Sequence, residues 1–244
     1  MEITSTQNEK VKLWHKYHQK KYRDRDHCFL VEGEHLLEEA LKAQVLQVLL
    51  IRKHSKIPFD FGGEIYIVSD AVMNKLSLHV SKVSYMGVVR KTKVMVKNPT
   101  HILLLDDVQD PGNVGTLLRS AYSFGFDSVY MSEKCADIYN EKVIASSQGA
   151  LFYLHIERLC LKTKIESLKA NDFCICATAL MDAKPLSVFS KEKKIALILG
   201  NEGSGVNTSL MKKSNANIKI ETIRFESLNV AIAGSICMYY FRKE

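Results

Sequence analysis

Three short segments of this 244-residue chain carry residue types that could bind and react with a polar ligand. The first is Asp110-Pro111-Gly112-Asn113-Val114-Gly115, with Arg119 one helical turn further on. Pro111 and Gly112 favour a turn, and Asn113 can cap a helix or present its amide to a ligand. Arg119 then projects near the same turn, where its planar fork suits a phosphate or carboxylate. The second is Leu199-Gly200-Asn201-Glu202-Gly203-Ser204-Gly205, which follows the apolar run Ile195–Leu199. Three glycines leave main-chain N–H groups able to approach a ligand. The third is Glu226-Ser227-Leu228-Asn229-Val230-Ala231-Ile232-Ala233. Ser227 is suited to cap the helix that follows, and Asn229 falls in its first turn, where an anion or a ribose can be met. Taken singly, each segment also fits a capped turn or a capped core helix.

Several chemistries are excluded by what these loops lack. No Gly-Lys-Ser/Thr follows the glycine-rich turn, so it is no P-loop, and no G-x-G-x-x-G spacing occurs, which argues against dinucleotide binding. The six cysteines, Cys28, Cys135, Cys160, Cys174, Cys176 and Cys237, form no C-x-x-C pair, so no metal site is expected. Cys174 and Cys176 alternate in the run Phe173–Ala179 and read as buried thiols, consistent with a reducing cytoplasm. No apolar stretch is long enough to span a membrane, and the polar start Met1–Lys10 lacks a signal-peptide core.

Charge points to a polyanionic partner. Residues 1–97 carry 17 Lys+Arg against 11 Asp+Glu, and residues 98–244 carry 17 against 16. The excess concentrates between Lys10 and Arg25, where Lys20, Lys21 and Arg23 accompany Trp14, Tyr17 and Tyr22. Cations interleaved with aromatics suit phosphate contact and base stacking in RNA, although a solvated helix face gives the same pattern.

The elements that must position these groups follow from periodicity. Helices are predicted over 10–21, Glu34–Ala43, Ala71–Leu76, Thr116–Phe124, Glu141–Ser147 and Leu228–Tyr240. Strands are predicted at Phe29–Val31, Val45–Ile51, Ile65–Val68, Met86–Lys91, His101–Leu105, Ser128–Met131, Phe173–Thr178, Ile195–Leu199 and Ile218–Ile220. Alternating strands and helices give an α/β protein. Lys97-Asn98-Pro99 marks the boundary between domains at 1–97 and 98–244. Small residues Ala231, Ala233, Gly234 and Ser235 let the closing helix pack tightly against another.

The segments DPGNVGTLLRSAYSFG, LILGNEGSG and ESLNVAIA, in that order, resemble the three motifs of the SpoU-type (TrmH-like) RNA 2′-O-ribose methyltransferases of the SPOUT superfamily. The likeness spans roughly residues 101–241, and KKYRDRDHCFLVEGEHLLEEAL is similar to the family's RNA substrate-binding domain, itself like a small ribosomal protein. The resemblance implies a C-terminal parallel α/β domain with a trefoil knot, a homodimer, and S-adenosylmethionine held at Thr178, Leu199, Gly200, Ile220 and Leu228. It implies catalytic roles for Asn113, Arg119, Glu202, Ser227 and Asn229. Arg119 would bind RNA phosphate and stabilise developing alkoxide, Asn113 and Asn229 would orient ribose and Arg119, Glu202 would hold Arg119 or the loop, and Ser227 would fix the third loop. Ribosomal RNA is the expected substrate. Transfer RNA, or a non-catalytic RNA-binding or ribosome-assembly role, are the alternatives. Two departures stand out: Ile220-Glu221-Thr222 where relatives have Ile-Pro, and Tyr85-Met86-Gly87 where relatives show Gln before Gly.

Overall fold

Two sheets organise the chain. The computed structural model describes residues 1–78, 82–190, 192–225 and 227–243. They cluster into one unit of Met1–Thr92 with Tyr139–Phe152, and a second of Lys93–Ile138 with Tyr153–Glu244. The division therefore falls slightly before the expected boundary, and the segment 139–152 joins the first unit. Aromatic contact explains the recruitment: the buried Phe29 ring lies 4.8 Å from Tyr139 and 6.4 Å from Phe152, with Lys91 Nζ 4.2 Å from the Tyr139 ring. No local pattern in the sequence announces such a long-range pairing.

The first unit contains β1 (Glu2–Ile3), α1 (Glu9–Lys16), α2 (Lys20–Asp26), β2 (Cys28–Glu32), α3 (Glu34–Lys42), β3 (Leu46–Arg52), β4 (Glu64–Val68), α4 (Asp70–Leu76) and β5 (Tyr85–Arg90). Its sheet runs β1-β4-β3-β5-β2, with β5 antiparallel to β3 and β2 and the other pairs parallel. Val11, Trp14 and Tyr17 pack into a core with Leu50, Val72, Met73 and Met86. Gly87 must be glycine for packing, since a Cβ there would lie 2.4 Å from Leu37 Cδ2. The Tyr85-Met86-Gly87 departure thus belongs to a core strand.

The single helix expected over 10–21 is broken. Gln19 is extended (φ −100°, ψ 131°), and α2 restarts after it. Arg23 explains the join: only 6% exposed, its Nη1 donates to the carbonyls of Tyr17 at 3.1 Å and His18 at 2.8 Å. That runs against the expectation that Arg23 contacts RNA, because the side chain is buried and its Nη1 serves two main-chain carbonyls. Lys20 and Lys21 remain exposed. Lys16, Lys21 and Arg25 stand 5.1–5.9 Å from the Tyr22 ring.

In the second unit, β6 (His101–Leu105), α5 (Pro111–Ser123) and β7 (Ser128–Met131) are followed, beyond α6 (Glu141–Ser147) of the first unit, by β8 (His155–Arg158) and α7 (Leu161–Lys169). Then come β9 (Cys174–Thr178), β10 (Lys184–Pro185), β11 (Ile195–Leu199), α8 (Thr208–Met211), β12 (Ala216–Lys219) and α9 (Val230–Tyr240). The sheet order is β10-β12-β9-β11-β6-β7-β8, and each pairing is parallel. Strands β6 and β11 are buried along their whole length, the uninterrupted apolar run expected of a sheet covered on both faces. Parallel alignment brings the carboxyl ends of β6, β9 and β11 to one edge, where open α/β sheets bind ligands.

Candidate active site

Asp110, rather than Asn113, caps α5: its Oδ1 accepts from Asn113 N–H at 2.8 Å. Pro111 occupies the first turn, where a missing N–H costs nothing, so the helix starts five residues before the predicted Thr116. Relieved of capping, the Asn113 side chain reaches outward, and its Nδ2 donates to Glu202 Oε1 at 2.9 Å.

After β11 the chain turns tightly on glycine. A Cβ on Gly200 would sit 2.1 Å from both the Gly205 carbonyl carbon and Val206 N, so only glycine lets the loop fold back. Asn201 and Gly205 pair through both main-chain groups, N–H to O at 3.1 Å and 2.9 Å, with Gly205 left-handed at φ +71°. The N–H groups of Gly203 and Ser204 donate to Asn201 Oδ1. This corrects, for Gly203 and Gly205, the expectation that the glycines free their amides for a ligand. The loop spends those two on itself and so becomes a stiff wall.

Asn229, and not Ser227, caps α9, accepting at Oδ1 from Ala231 N–H at 2.8 Å and Ile232 N–H at 3.3 Å. The other end of its amide donates from Nδ2 to Asn113 Oδ1 at 3.0 Å. Ser227 lies two residues before the cap, on the edge of a cavity. Glu226, which opens the third segment, lies outside the described residues.

The three segments are thus tied by one sequence of side-chain hydrogen bonds, Asn229 to Asn113 to Glu202. The Glu202 carboxylate also accepts from the N–H groups of Asp110 at 3.1 Å and Gln109 at 3.3 Å. Burial pushes the Glu202 carboxyl up, but the Asn113 amide and the N–H groups of Glu202 itself, Asp110 and Gln109 outweigh it and hold the group below its usual range. The order imposed by these bonds is therefore present above the ordinary glutamate range and lost as pH falls through the lowered value. Of the two roles expected of Glu202, it holds the loop. Arg119 is exposed, and among the described residues its guanidinium has no hydrogen-bond or ion-pair partner. It stands two turns into α5 from Pro111, with its charge available to an incoming anion.

Beside this network lies a cavity of about 670 Å³. Thr178, Leu199, Gly200, Ile220 and Leu228 all line it, and so do Glu202, Ser227 and Asn229; Asn113 and Arg119 do not. Thr178 donates from Oγ1 to the Ile198 carbonyl at 3.2 Å, which anchors its side chain at the end of β9. The Ile220-Glu221-Thr222 departure keeps a lining function, since Ile220 and Thr222 both face the cavity, and the Thr222 hydroxyl donates to the Phe225 carbonyl, folding the segment back. Met181, Val206 and Ile218 also line the cavity and were missed from sequence. Ordinary apolar residues at strand ends carry no local signal of a binding role. The size and the mixed polar and apolar walls fit a nucleoside-sized ligand such as S-adenosylmethionine.

Helices α5 and α9 border the site and pack at close range. A Cβ on Gly234 would meet Leu117 Cδ2 at 2.5 Å and Leu199 Cδ1 at 2.4 Å, and Ser120 Oγ lies 2.7 Å from Ser235 Oγ. The small residues of α9 serve the close packing expected of them.

Known proteins share the family and the fold. Residues 100–239 match the family model described as SpoU rRNA Methylase family, and residues 8–81 match an MRM3-like substrate binding domain. The 23S rRNA (guanosine(2553)-2′-O)-methyltransferase RlmP of Bacillus subtilis is 36% identical over 99% of each chain. A putative RNA methyltransferase of the TrmH family from Porphyromonas gingivalis superposes with a TM-score of 0.82 at 28% identity, over 96% of this chain and 97% of that one. The SpoU methyltransferase AviRb from Streptomyces viridochromogenes, solved in complex with AdoMet, shares the fold with a TM-score of 0.85 at 20% identity, over 96% and 97%. The chain belongs to the SpoU rRNA methylase family.

Proposed function

We propose that this protein methylates a ribose 2′-hydroxyl of ribosomal RNA, using S-adenosylmethionine. The observation that carries this reading is the hydrogen-bonded series Asn229, Asn113 and Glu202 standing beside a cavity walled by the glycine loop and the third segment. Relatives support the substrate class: the Bacillus subtilis protein acts on 23S ribosomal RNA.

S-adenosylmethionine bound in the cavity supplies an electrophilic methyl group. Leu199, Gly200, Ile220 and Leu228 would hold it, with Thr178 at the end of β9. The residues of the chain must place the hydroxyl and manage its charge, and positioning alone supplies much of such a rate gain. Arg119 binds an RNA phosphate and stabilises the negative charge that develops on the 2′-oxygen. With a pKa above about 12 a guanidinium is a poor base, so the hydroxyl proton passes to a phosphate oxygen or a water. Asn113 and Asn229 are oriented by each other and by Glu202, leaving one amide hydrogen each for the ribose.

The RNA-facing surface of the first unit is formed by Lys16 and Lys21 beside Tyr22, together with the exposed Lys20. Replacing all three by Gln is expected to weaken RNA binding and flatten its dependence on salt, roughly one unit of log–log slope for each lost phosphate contact, with cofactor affinity unchanged. A salt series of RNA dissociation constants that superposes on wild type refutes this placement.

A homodimer and a trefoil knot in the C-terminal part belong to the same proposal. The exposed stripe Ile232, Ile236 and Tyr239 on α9, at 54%, 39% and 55%, supports the first, because a face that apolar is normally covered. Sedimentation equilibrium should give the mass of two chains. Ribosomal RNA as substrate supports a cytoplasmic location for this protein. The deciding experiment is mapping of 2′-O-methylation in total RNA with and without the protein: one ribosomal nucleotide should lose its methyl group, and an unchanged map would overturn the proposal.

A further inference from the structure

The glycine loop closes on one side chain. Asn201 Oδ1 accepts from the Gly203 N–H at 2.9 Å, the Ser204 N–H at 3.1 Å and the Ser204 hydroxyl at 3.3 Å. At the other end of the amide, Nδ2 donates to the Asp107 carbonyl at 2.9 Å and lies 3.5 Å from Glu202 Oε2. All five side-chain bonds of the amide therefore tie the loop after β11 to itself or to the loop after β6.

The acceptor of that amide is itself fixed. Asp107 is left-handed at φ +55°, a conformation that costs a non-glycine residue on the order of 1 kcal/mol and persists only where neighbours enforce it. Ser132 enforces it from β7's end: the Asp107 N–H donates to Ser132 Oγ at 2.8 Å, and the same hydroxyl donates to Asp107 Oδ1 at 2.5 Å. The Asp107 carbonyl is thus held where Asn201 can reach it.

The next residue after Asn201 is Glu202, whose carboxylate collects the Gln109 and Asp110 N–H groups and the Asn113 amide. Where that carboxylate points is set by how the loop is closed. We infer that Asn201 is a positioning residue for methyl transfer, clamping the glycine loop to the Asp107 carbonyl and so aiming Glu202 at Asn113. The inference rests on the methyl-transfer reading for its consequence, and on the hydrogen bonds alone for the clamp. Without the clamp, the Glu202 carboxylate drifts from its donors, and the Asn113 and Asn229 amides lose the partner that orients them.

Two variants of the full-length protein test this. Asn201→Ala removes the clamp. Asn201→Asp keeps an acceptor for Gly203 and Ser204, but when ionised it has no hydrogen for Asp107 and sets a second carboxylate beside Glu202. When protonated its O–H can replace the lost donor. The first measurement is a carbon-13 NMR titration of the Glu202 carboxyl in cofactor-free protein. Asn201→Ala should move that titration upward, toward ordinary glutamate, as its donors come away. The second is single-turnover methyl transfer to a 23S ribosomal RNA transcript at saturating S-adenosylmethionine. Asn201→Ala should be slower by about tenfold or more, the cost of one or two lost hydrogen bonds at the site. Asn201→Asp should approach wild type at low pH and fall behind as pH rises through the shared titration of the two carboxylates, whereas the Asn201→Ala ratio stays flat. An unmoved Glu202 titration in Asn201→Ala, with only a lower melting temperature, would make Asn201 a purely structural residue and overturn the inference. Wild-type protein that leaves the transcript unmethylated would sink the functional reading, while the titration still decides whether Asn201 aims Glu202.

Discussion

Arg119→Ala is expected to lose methyl-transfer rate on the order of a hundredfold or more, the usual consequence of removing one preorganised charge-stabilising group. S-adenosylmethionine affinity should hardly change, because Arg119 does not line the cavity. Fold should be preserved too, since the side chain is exposed on α5 and has no hydrogen-bond partner among the described residues. The loss therefore belongs in kcat, the signature of an interaction made mainly in the transition state. Arg119→Lys sharpens the point. Lysine keeps the charge and loses the planar fork, so partial activity is expected. Were the residue a general base, lysine would serve better than arginine and its rate would climb steeply with pH. Single-turnover rates across pH for the three proteins separate these cases, and a near-wild-type Arg119→Ala would revive a non-catalytic role for this fold.

Gly200→Ala should weaken cofactor binding roughly a hundredfold without unfolding the protein. The added methyl group would lie 2.1 Å from the Gly205 carbonyl carbon and 2.1 Å from Val206 N, both main-chain atoms that cannot rotate away. The loop must shift, and the Asn201–Gly205 pairing that stiffens the cavity wall must open. Overpacking of this kind costs a few kcal/mol, which converts to roughly a hundredfold in affinity when it falls on a binding wall. Gly203→Ala is the control. A Cβ there meets only Asn201 Oδ1 at 3.6 Å, ordinary contact, so binding should persist. Calorimetry with S-adenosylmethionine measures both. A Gly200→Ala protein that is folded by circular dichroism and binds as wild type does would remove this wall from the cofactor site.

Much of the second unit could be read from the sequence. Uninterrupted apolar runs at 102–105 and Ile195–Leu199 are strands because a doubly covered parallel strand has no polar face to show. The cavity-lining residues Thr178, Leu199, Gly200, Ile220 and Leu228 are legible only through the resemblance of the three segments to a known family, since no local pattern marks them as ligand contacts. Less regular elements escaped: β8, His-Ile-Glu-Arg, and the four-residue α8 are too short and too polar for any period to stand out.

What the tertiary structure decided is which of several equivalent polar groups does each task. Ser227 and Asn229 are both good caps by type, as are Asp110 and Asn113, and local propensity cannot choose between them. Packing of α5 against α9 chooses, by bringing Asn113 and Asn229 within 3.0 Å and leaving Asp110 to cap its own helix. Arg23 and Lys21 are equally basic in sequence, yet one is buried on main-chain carbonyls because the chain bends at Gln19. Three loops far apart in the sequence carry the types of residue the chemistry needs. Only the parallel sheet, which delivers the ends of β6 and β11 to one edge, makes them a single hydrogen-bonded site.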